Sequence, residues 1–168
     1  MRTLSARAGL VMLAVLSSLI AAGCGSIQIT DSPPPPSTDL SYVPNTGEQH
    51  DLSIAAVDFD PSLDIDRIMA NEPINLLVGI ENKGNRREAG DSVHISLFNG
   101  DRSQLVLTDT QPVPILAAGD LTVVHFTRTD PLARFNDYVL QVDLDPVSHE
   151  TNLINNHRTL TIDVRALH

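Results

Sequence analysis

The sequence predicts an all-β protein: an antiparallel β-sandwich of immunoglobulin-like or fibronectin-III-like kind with about seven strands. Three observations predict it. Short runs of alternating apolar and polar residues recur from Asp51 onward, turn-forming residues separate these runs, and no stretch among them has a convincing helical period. A jelly roll is the alternative all-β architecture, but it usually needs more strands.

Alternation places the strands in order along residues 51–168. The first covers residues 52–59, and a shift of the alternation near Ala55 predicts a bulge. The second, residues 74–80, alternates most cleanly. Pro112 and Pro114 restrict their stretch to an edge strand or a loop. The other predicted strands cover residues 93–97, 104–108, 121–126, 138–144 and 159–164.

Residues 1–23 have the pattern of a secretory signal peptide. Arg2 and Arg7 precede an apolar stretch over residues 8–22, which is shorter than the roughly 20 residues that span a bilayer as a helix. The stretch ends at Ala21-Ala22-Gly23-Cys24, and Cys24 is the only cysteine. An ordinary signal peptide with an incidental cysteine is the alternative interpretation.

This ending resembles the lipobox of bacterial lipoproteins, in which small residues precede a modified cysteine. The family usually has Leu or another branched residue three positions before the cysteine, where this chain has Ala21. The resemblance implies that the Cys24 sulfur carries a diacylglycerol and that the new N-terminus is acylated. A cysteine suits this chemistry because its thiolate is a good nucleophile.

Residues 24–50 are predicted to be the lipidated cysteine followed by a flexible, disordered linker. Pro33 to Pro36 favour an extended polyproline helix, and the segment has no period of 2 or 3.6 residues. We expect such a tether to lift the domain off the membrane by a few tens of ångströms.

Composition excludes some partners. The 168 residues include 11 Lys and Arg against 21 Asp and Glu, for a net charge of −10. Loss of Arg2 and Arg7 with the signal peptide would leave −12. Such acidity disfavours nucleic acid and a face lying flat on anionic lipid. It is typical of a soluble exported domain.

Residues 51–164 resemble the CARDB family, the cell-adhesion-related domain found in bacteria. Motifs at the predicted strand ends carry the resemblance, and their order and spacing are specific. These are Asp51-Leu52, Asn71-Glu72-Pro73, Ile80-Glu81-Asn82-Lys83-Gly84-Asn85, Leu116-Ala117-Ala118-Gly119-Asp120, Tyr138-Val139-Leu140-Gln141-Val142-Asp143, Asp145-Pro146, Glu150-Thr151-Asn152 and Asn155-Asn156. The resemblance implies a seven-stranded sandwich and a role in extracellular binding or adhesion.

One predicted loop collects oxygen-bearing side chains, and two interpretations of it stay open. Calcium is bound by six to eight oxygen ligands, which Asp143, Asp145, Glu150 and Asn155 would supply in part. The alternative is that these residues cap turns, and the CARDB resemblance favours it. The six histidines show no zinc-site spacing. Arg86 and Arg87 are weak candidates for partner contact.

No catalytic constellation is found in the sequence. The nucleophile motifs of serine and cysteine hydrolases are absent, as is a glycine-rich phosphate-binding loop. We therefore expect no enzyme activity, no small-molecule ligand and no cofactor beyond the covalent lipid. The predicted function is a lipid-anchored cell-envelope binding or adhesion module that presents a β-sandwich to an unidentified protein partner.

A structural accessory subunit of an envelope complex on the periplasmic side is the alternative. Gly25, rather than an aspartate, follows Cys24, which favours the outer membrane or cell surface.

Overall fold

The computed structural model describes residues 26–32, 47–70, 72–128 and 135–165. Cys24, the predicted signal peptide and Pro33 to Pro36 lie outside the described residues. The strands are β1 (Ser26–Ser32), β2 (Leu52–Asp60), β3 (Ile74–Asn82), β4 (Glu88–Ala89), β5 (Ser92–Asn99), β6 (Leu105–Pro112), β7 (Ile115–Leu116), β8 (Leu121–Arg128), β9 (Asp137–Leu144) and β10 (His157–Arg165). Helix α1 spans Ile65–Ala70, and a 3-10 turn spans Ile154–Asn156.

The strands form two main antiparallel sheets. The large sheet has the order β1-β10-β9-β5-β6, and the small sheet has the order β2-β3-β8. Strands β4 and β7 form a separate two-stranded ribbon. The chain is therefore an all-β, immunoglobulin-like sandwich, as the sequence predicts. The predicted bulge is present, because the β2–β3 register shifts between Ile54 and Ala56.

The core lies between the two sheets and is built by the inward-facing set of each strand. Alternation in β5 buries Val93, Ile95 and Leu97, while their neighbours are only half-buried. Every second residue of a strand faces the same side, so one face of each sheet becomes apolar. The same rule buries Leu76, Val78 and Ile80 of β3, Val124 and Phe126 of β8, Tyr138, Leu140, Val142 and Leu144 of β9, and Leu160 and Ile162 of β10.

Strand β1 corrects the prediction that residues 24–50 are all linker. Ser26–Ser32 pairs with β10 over seven residues, from Ser26 opposite Arg165 to Ser32 opposite Thr159. Ile27 packs against the core, and the Asp31 carboxylate forms an ion pair with Arg158. The proline-rich residues therefore join two strands of one domain and do not separate that domain from Cys24.

Two smaller differences from the sequence prediction have local causes. Helix α1 is too short to show a helical period; the Asp64 side chain caps it by accepting the Arg67 backbone N–H at 2.9 Å. Strand β6 extends past residue 108 to Pro112, which is allowed because β6 is an edge strand. Within the described residues, no helix is long and apolar enough to cross a membrane.

Candidate functional site

The sandwich has two ends that differ in chemistry. At the end that we call the polar pole, β3, β6 and β9 finish and β2, β5, β8 and β10 begin. At the opposite end, which we call the cavity pole, β2, β5, β8 and β10 finish. Most of the predicted site residues belong to the polar pole, whereas an apolar cavity reaches the cavity pole.

Asn82 organises the polar pole. Its side chain is fully buried at the end of β3. The amide nitrogen donates to the carbonyls of Arg86, at 2.7 Å, and Leu116, at 3.1 Å. The amide oxygen accepts the Gly84 N–H at 3.0 Å. One buried side chain thus bonds three backbone groups from two loops, and its own amide is satisfied in return.

Two glycines that lie next to Asn82 in space, Gly84 and Gly119, allow this packing. A Cβ on Gly84 would lie 2.4 Å from the Gln49 carbonyl oxygen and 3.1 Å from the Asp51 nitrogen. Gly119 has φ +80, and its N–H donates to the Asn82 carbonyl at 2.9 Å. That left-handed conformation favours glycine. The motif at residues 116–120 is therefore part of the same hydrogen-bond network.

Glu150 joins the loop before β10 to the beginning of β2. One carboxylate oxygen accepts the Leu52 N–H at 2.9 Å. The other accepts the Val147 N–H at 2.9 Å and the Asn156 amide at 3.0 Å. Burial raises the pKa of Glu150, and the charge of Asp51 adds to the rise, while the three donors oppose it. These contacts are structural because they tie together loops about 100 residues apart.

The predicted calcium ligands are not assembled into one site. Asp143 pairs with His157, Asp145 pairs with His94 at 3.1 Å, and Asn155 donates to Asp51 at 2.7 Å. The buried amide oxygens of Asn155 and Asn156 have no hydrogen-bond partner, but both oxygens of the neighbouring Glu150 are occupied. In the described ranges, no group of three or more His, Cys, Asp or Glu is placed to hold a metal ion. The arrangement does not fit a cation that needs six to eight oxygen ligands.

Arg86 and Arg87 lie in the loop after β3, and both are exposed. Arg86 forms an ion pair with Glu48. For Arg87 the described residues give no ion pair. The two residues are therefore accessible at the polar pole, but the structure does not join them to a cleft.

An apolar cavity of 460 Å³ lies between the sheets towards the cavity pole. It is bounded by side chains from both sheets and from the region around α1. The lining residues are Phe59, Leu63, Ile68, Ile74, Leu76, Ile95, Leu97, Val106, Leu107, Thr108, Asp109, Phe126, Thr127, Tyr138, Leu140 and Ile162. Cavities of about this size accommodate apolar groups. Sequence reasoning did not find the cavity, because alternation gives no information on how closely two sheets pack.

The described residues thus form an immunoglobulin-like sandwich with a hydrogen-bonded polar pole. The family model described as CARDB matches residues 42–160, so the chain belongs to the CARDB family. This is a cell-adhesion-related domain family of a non-catalytic, binding type. Its motifs, proposed from sequence to be turn formers, include Asn82, Gly84 and Glu150, which the structure brings together at the polar pole.

Three solved structures illustrate what the chain is similar to. The CARDB domain of a Pyrococcus furiosus protein in complex with di-metal ions is 18% identical, with a TM-score of 0.42, over 70% of this chain and 96% of that one. The C-terminal domain of wzt is 13% identical, with a TM-score of 0.46, over 73% and 79%. The β-glucosidase EmGH1 from Erythrobacter marinus is 15% identical, with a TM-score of 0.42, over 68% and 15%. No curated protein matches the sequence.

Proposed function

We propose that this protein is a lipid-anchored module of the bacterial cell envelope that binds a protein partner, in adhesion or in assembly. The observation that carries the proposal is that a domain of a cell-adhesion-related family follows a lipobox-like cysteine in one chain. Cys24 would carry a diacylglycerol and an N-terminal acyl group. Two or three acyl chains give stable anchoring, whereas one chain gives only marginal membrane binding.

The charge of the chain supports a protein partner. A net charge of −10 opposes attraction to anionic lipid and to nucleic acid. A sandwich of this kind binds through its loops or through the backbone of an edge strand. The lipid would then determine where the domain is held, and the protein surface would determine what it binds.

Lipidation is tested by expressing the full chain and a Cys24→Ser variant in a bacterium fed an alkyne-labelled fatty acid. We expect the label and a membrane-fraction location for the wild type and no label for the variant. Since Cys24 is the only cysteine, no other thiol can take the lipid. A wild-type chain that matures without label, cut at an ordinary signal-peptidase site, would overturn the lipid anchor.

Orientation is tested on intact cells with a protease that cannot enter them. Loss of the domain, with a periplasmic control protein intact, would favour adhesion at the cell surface. Survival until the cells are opened would favour the accessory subunit, and cross-linking to neighbouring envelope proteins would then identify the complex.

A further inference from the structure

The four edge strands of the two main sheets differ in how well they are protected against pairing. Unpaired strand edges attract other strands, and proteins block them with charges, prolines and bulges. In the small sheet, β2 has its bulge at Ala55 and carries Asp58. In the large sheet, β1 carries Asp31, and β6 carries Asp109 and ends at Pro112.

Strand β8 has neither a bulge nor a proline, and its one charged residue is Arg128, at its last position. Its eight residues, Leu121–Arg128, include no carboxylate, no proline and no lysine, in a chain with 21 acidic residues. Within the described ranges it pairs with β3 alone, in a regular register without a bulge. Leu121 is 59% exposed and Val123 is 45% exposed on its outer face. This edge therefore combines free backbone groups with apolar side chains.

The apolar cavity adjoins the same edge. Val106 and Thr108 of β6 and Phe126 of β8 belong to its lining, so the two strands bound the cavity on this side. Successive side chains of an added strand would point to opposite faces. One set would lie beside Leu121 and Val123, and the other would point between the sheets towards the cavity.

We propose that the edge of β8 binds an extended segment of a partner protein, which adds a fourth strand to the small sheet and places an apolar side chain in the cavity. The inference rests on the proposed binding function and assigns the surface that performs it. Backbone hydrogen bonds give affinity in this mode, and pockets for alternate side chains give specificity. Asp109 at the cavity and the net charge of −10 favour a neutral or basic segment over an acidic one.

A second copy of the chain is a less suitable occupant. Two copies of β8 could pair about a twofold axis, but the inward-facing Val124 and Phe126 of each are buried in their own core. A second copy would therefore bring no side chain for the cavity, whereas a separate extended segment would.

The test uses the full chain purified in detergent and a synthetic probe peptide. The probe has about eight residues, a typical strand length, with alternating Val and Thr and a Lys at each end. Binding is measured by fluorescence anisotropy for the wild type and two variants. Val123→Lys puts a charge on the β8 edge, and the matched control Ile29→Lys changes an equally exposed residue, at 42%, on edge strand β1.

We expect Val123→Lys to weaken peptide binding by about tenfold or more, as a repulsive charge on an edge should. We expect Ile29→Lys to bind as the wild type does. A peptide methylated on alternate backbone nitrogens should fail to bind, because it cannot pair with a strand. No binding of the probe by the wild type, equal loss in both variants, or equal binding of the methylated peptide would overturn the proposal.

The cavity contributes a separate expectation. Replacing the central Val of the probe by Leu should strengthen binding to the wild type, and Val106→Phe, which fills the cavity, should remove that gain. No gain from Leu, or a gain that persists in Val106→Phe, would overturn the cavity part.

Sedimentation of the wild type and of Val123→Lys tests whether a second copy of the chain binds the β8 edge. If the wild type is a dimer and Val123→Lys is a monomer, a second copy and not a partner segment binds there. Failure of this proposal is distinguishable from failure of the proposed function, because fatty-acid labelling of Cys24 and protease access do not depend on the β8 edge.

Discussion

At the polar pole the loops are fixed by buried hydrogen bonds, whereas at the cavity pole the sheets leave apolar space between them. Asn82 and Glu150 each bond three partners, of which Leu116 for Asn82 and Leu52 for Glu150 come from another part of the chain. The cavity, in contrast, is lined almost entirely by apolar side chains. The difference teaches that buried hydrogen bonds position the loops at one end of the fold, whereas apolar packing around a cavity forms the other end.

Two asparagines at opposite poles give the largest expected contrast. Asn82→Ala should lower the free energy of unfolding by about 3–5 kcal/mol, because it leaves buried backbone groups unsatisfied. Asn99, whose side-chain oxygen accepts the Gln104 N–H at 2.9 Å, caps an exposed turn at the cavity pole. Asn99→Ala should cost under about 1 kcal/mol, since water replaces the lost bonds. Urea denaturation of both variants checks this, and equal losses would contradict the contrast between poles.

Enlarging a side chain should lower stability at the polar pole and preserve or raise it at the cavity pole. Gly84→Ala should destabilise the fold by about 2–3 kcal/mol, because the new Cβ meets the Gln49 carbonyl at 2.4 Å. Val106→Phe should be neutral or stabilise by up to about 1 kcal/mol, because the added ring enters existing apolar space. Thermal unfolding measures both changes. A tolerated Gly84→Ala would show that the polar pole can relax.

Glu150 gives a pH dependence specific to the polar pole. Its pKa is raised above the usual 4.5, so the folded state binds its proton more tightly than the unfolded state does. The contribution of Glu150 to stability should therefore be larger below the usual pKa and decline as pH rises through the raised pKa.

The Glu150→Gln variant provides the reference for this measurement. Its free energy of unfolding should be about 2 kcal/mol lower than that of the wild type at neutral pH. Glutamine has one acceptor oxygen, whereas the three donors bind both oxygens of Glu150. The difference between wild type and variant, measured by urea denaturation across the pH range, should grow as pH falls. A difference that shrinks on acidification would show that hydrogen bonding outweighs burial.

The smallest effects are expected from the exposed arginines. Arg86→Ala removes an exposed ion pair with Glu48, and Arg87→Ala removes none that the described residues contain. Both should change the free energy of unfolding by less than about 0.5 kcal/mol. If either variant loses partner binding without losing stability, the arginines are a contact site at the polar pole. That result would favour the polar pole over the β8 edge as the binding surface.

Local patterns predicted most of the sandwich but neither its first strand nor its cavity. Strands such as β3 and β5 bury every second residue, so their alternation is visible in the sequence. In β1 only Ile27 packs on the core, and its pairing with β10 comes from residues more than 100 positions away. Strand formation of this kind depends on context more than on local preference.

The site residues show the same limit. Asp51, Asn82 and Glu150 belong to motifs at predicted strand ends, and the structure places Asp51 and Asn82 at strand ends and Glu150 in the loop between β9 and β10. That Glu150 bonds the Leu52 backbone depends on the arrangement of the sheets, which no local pattern contains. Asp58, Asp60, Asp64 and Asp66 are exposed.

Strand β1 would have a mechanical consequence under the lipid anchoring at Cys24 that we propose. Ser26, the first residue of β1, is two residues from Cys24, which is at most about 7 Å of chain. Strand β1 begins at the cavity pole, opposite the end of β10. Tension applied through Cys24 along the strand would load the β1–β10 ladder in shear, so that its hydrogen bonds resist together and do not open one after another. The first element to yield under load would be this seven-residue ladder, and the rest of the sandwich would remain folded behind it.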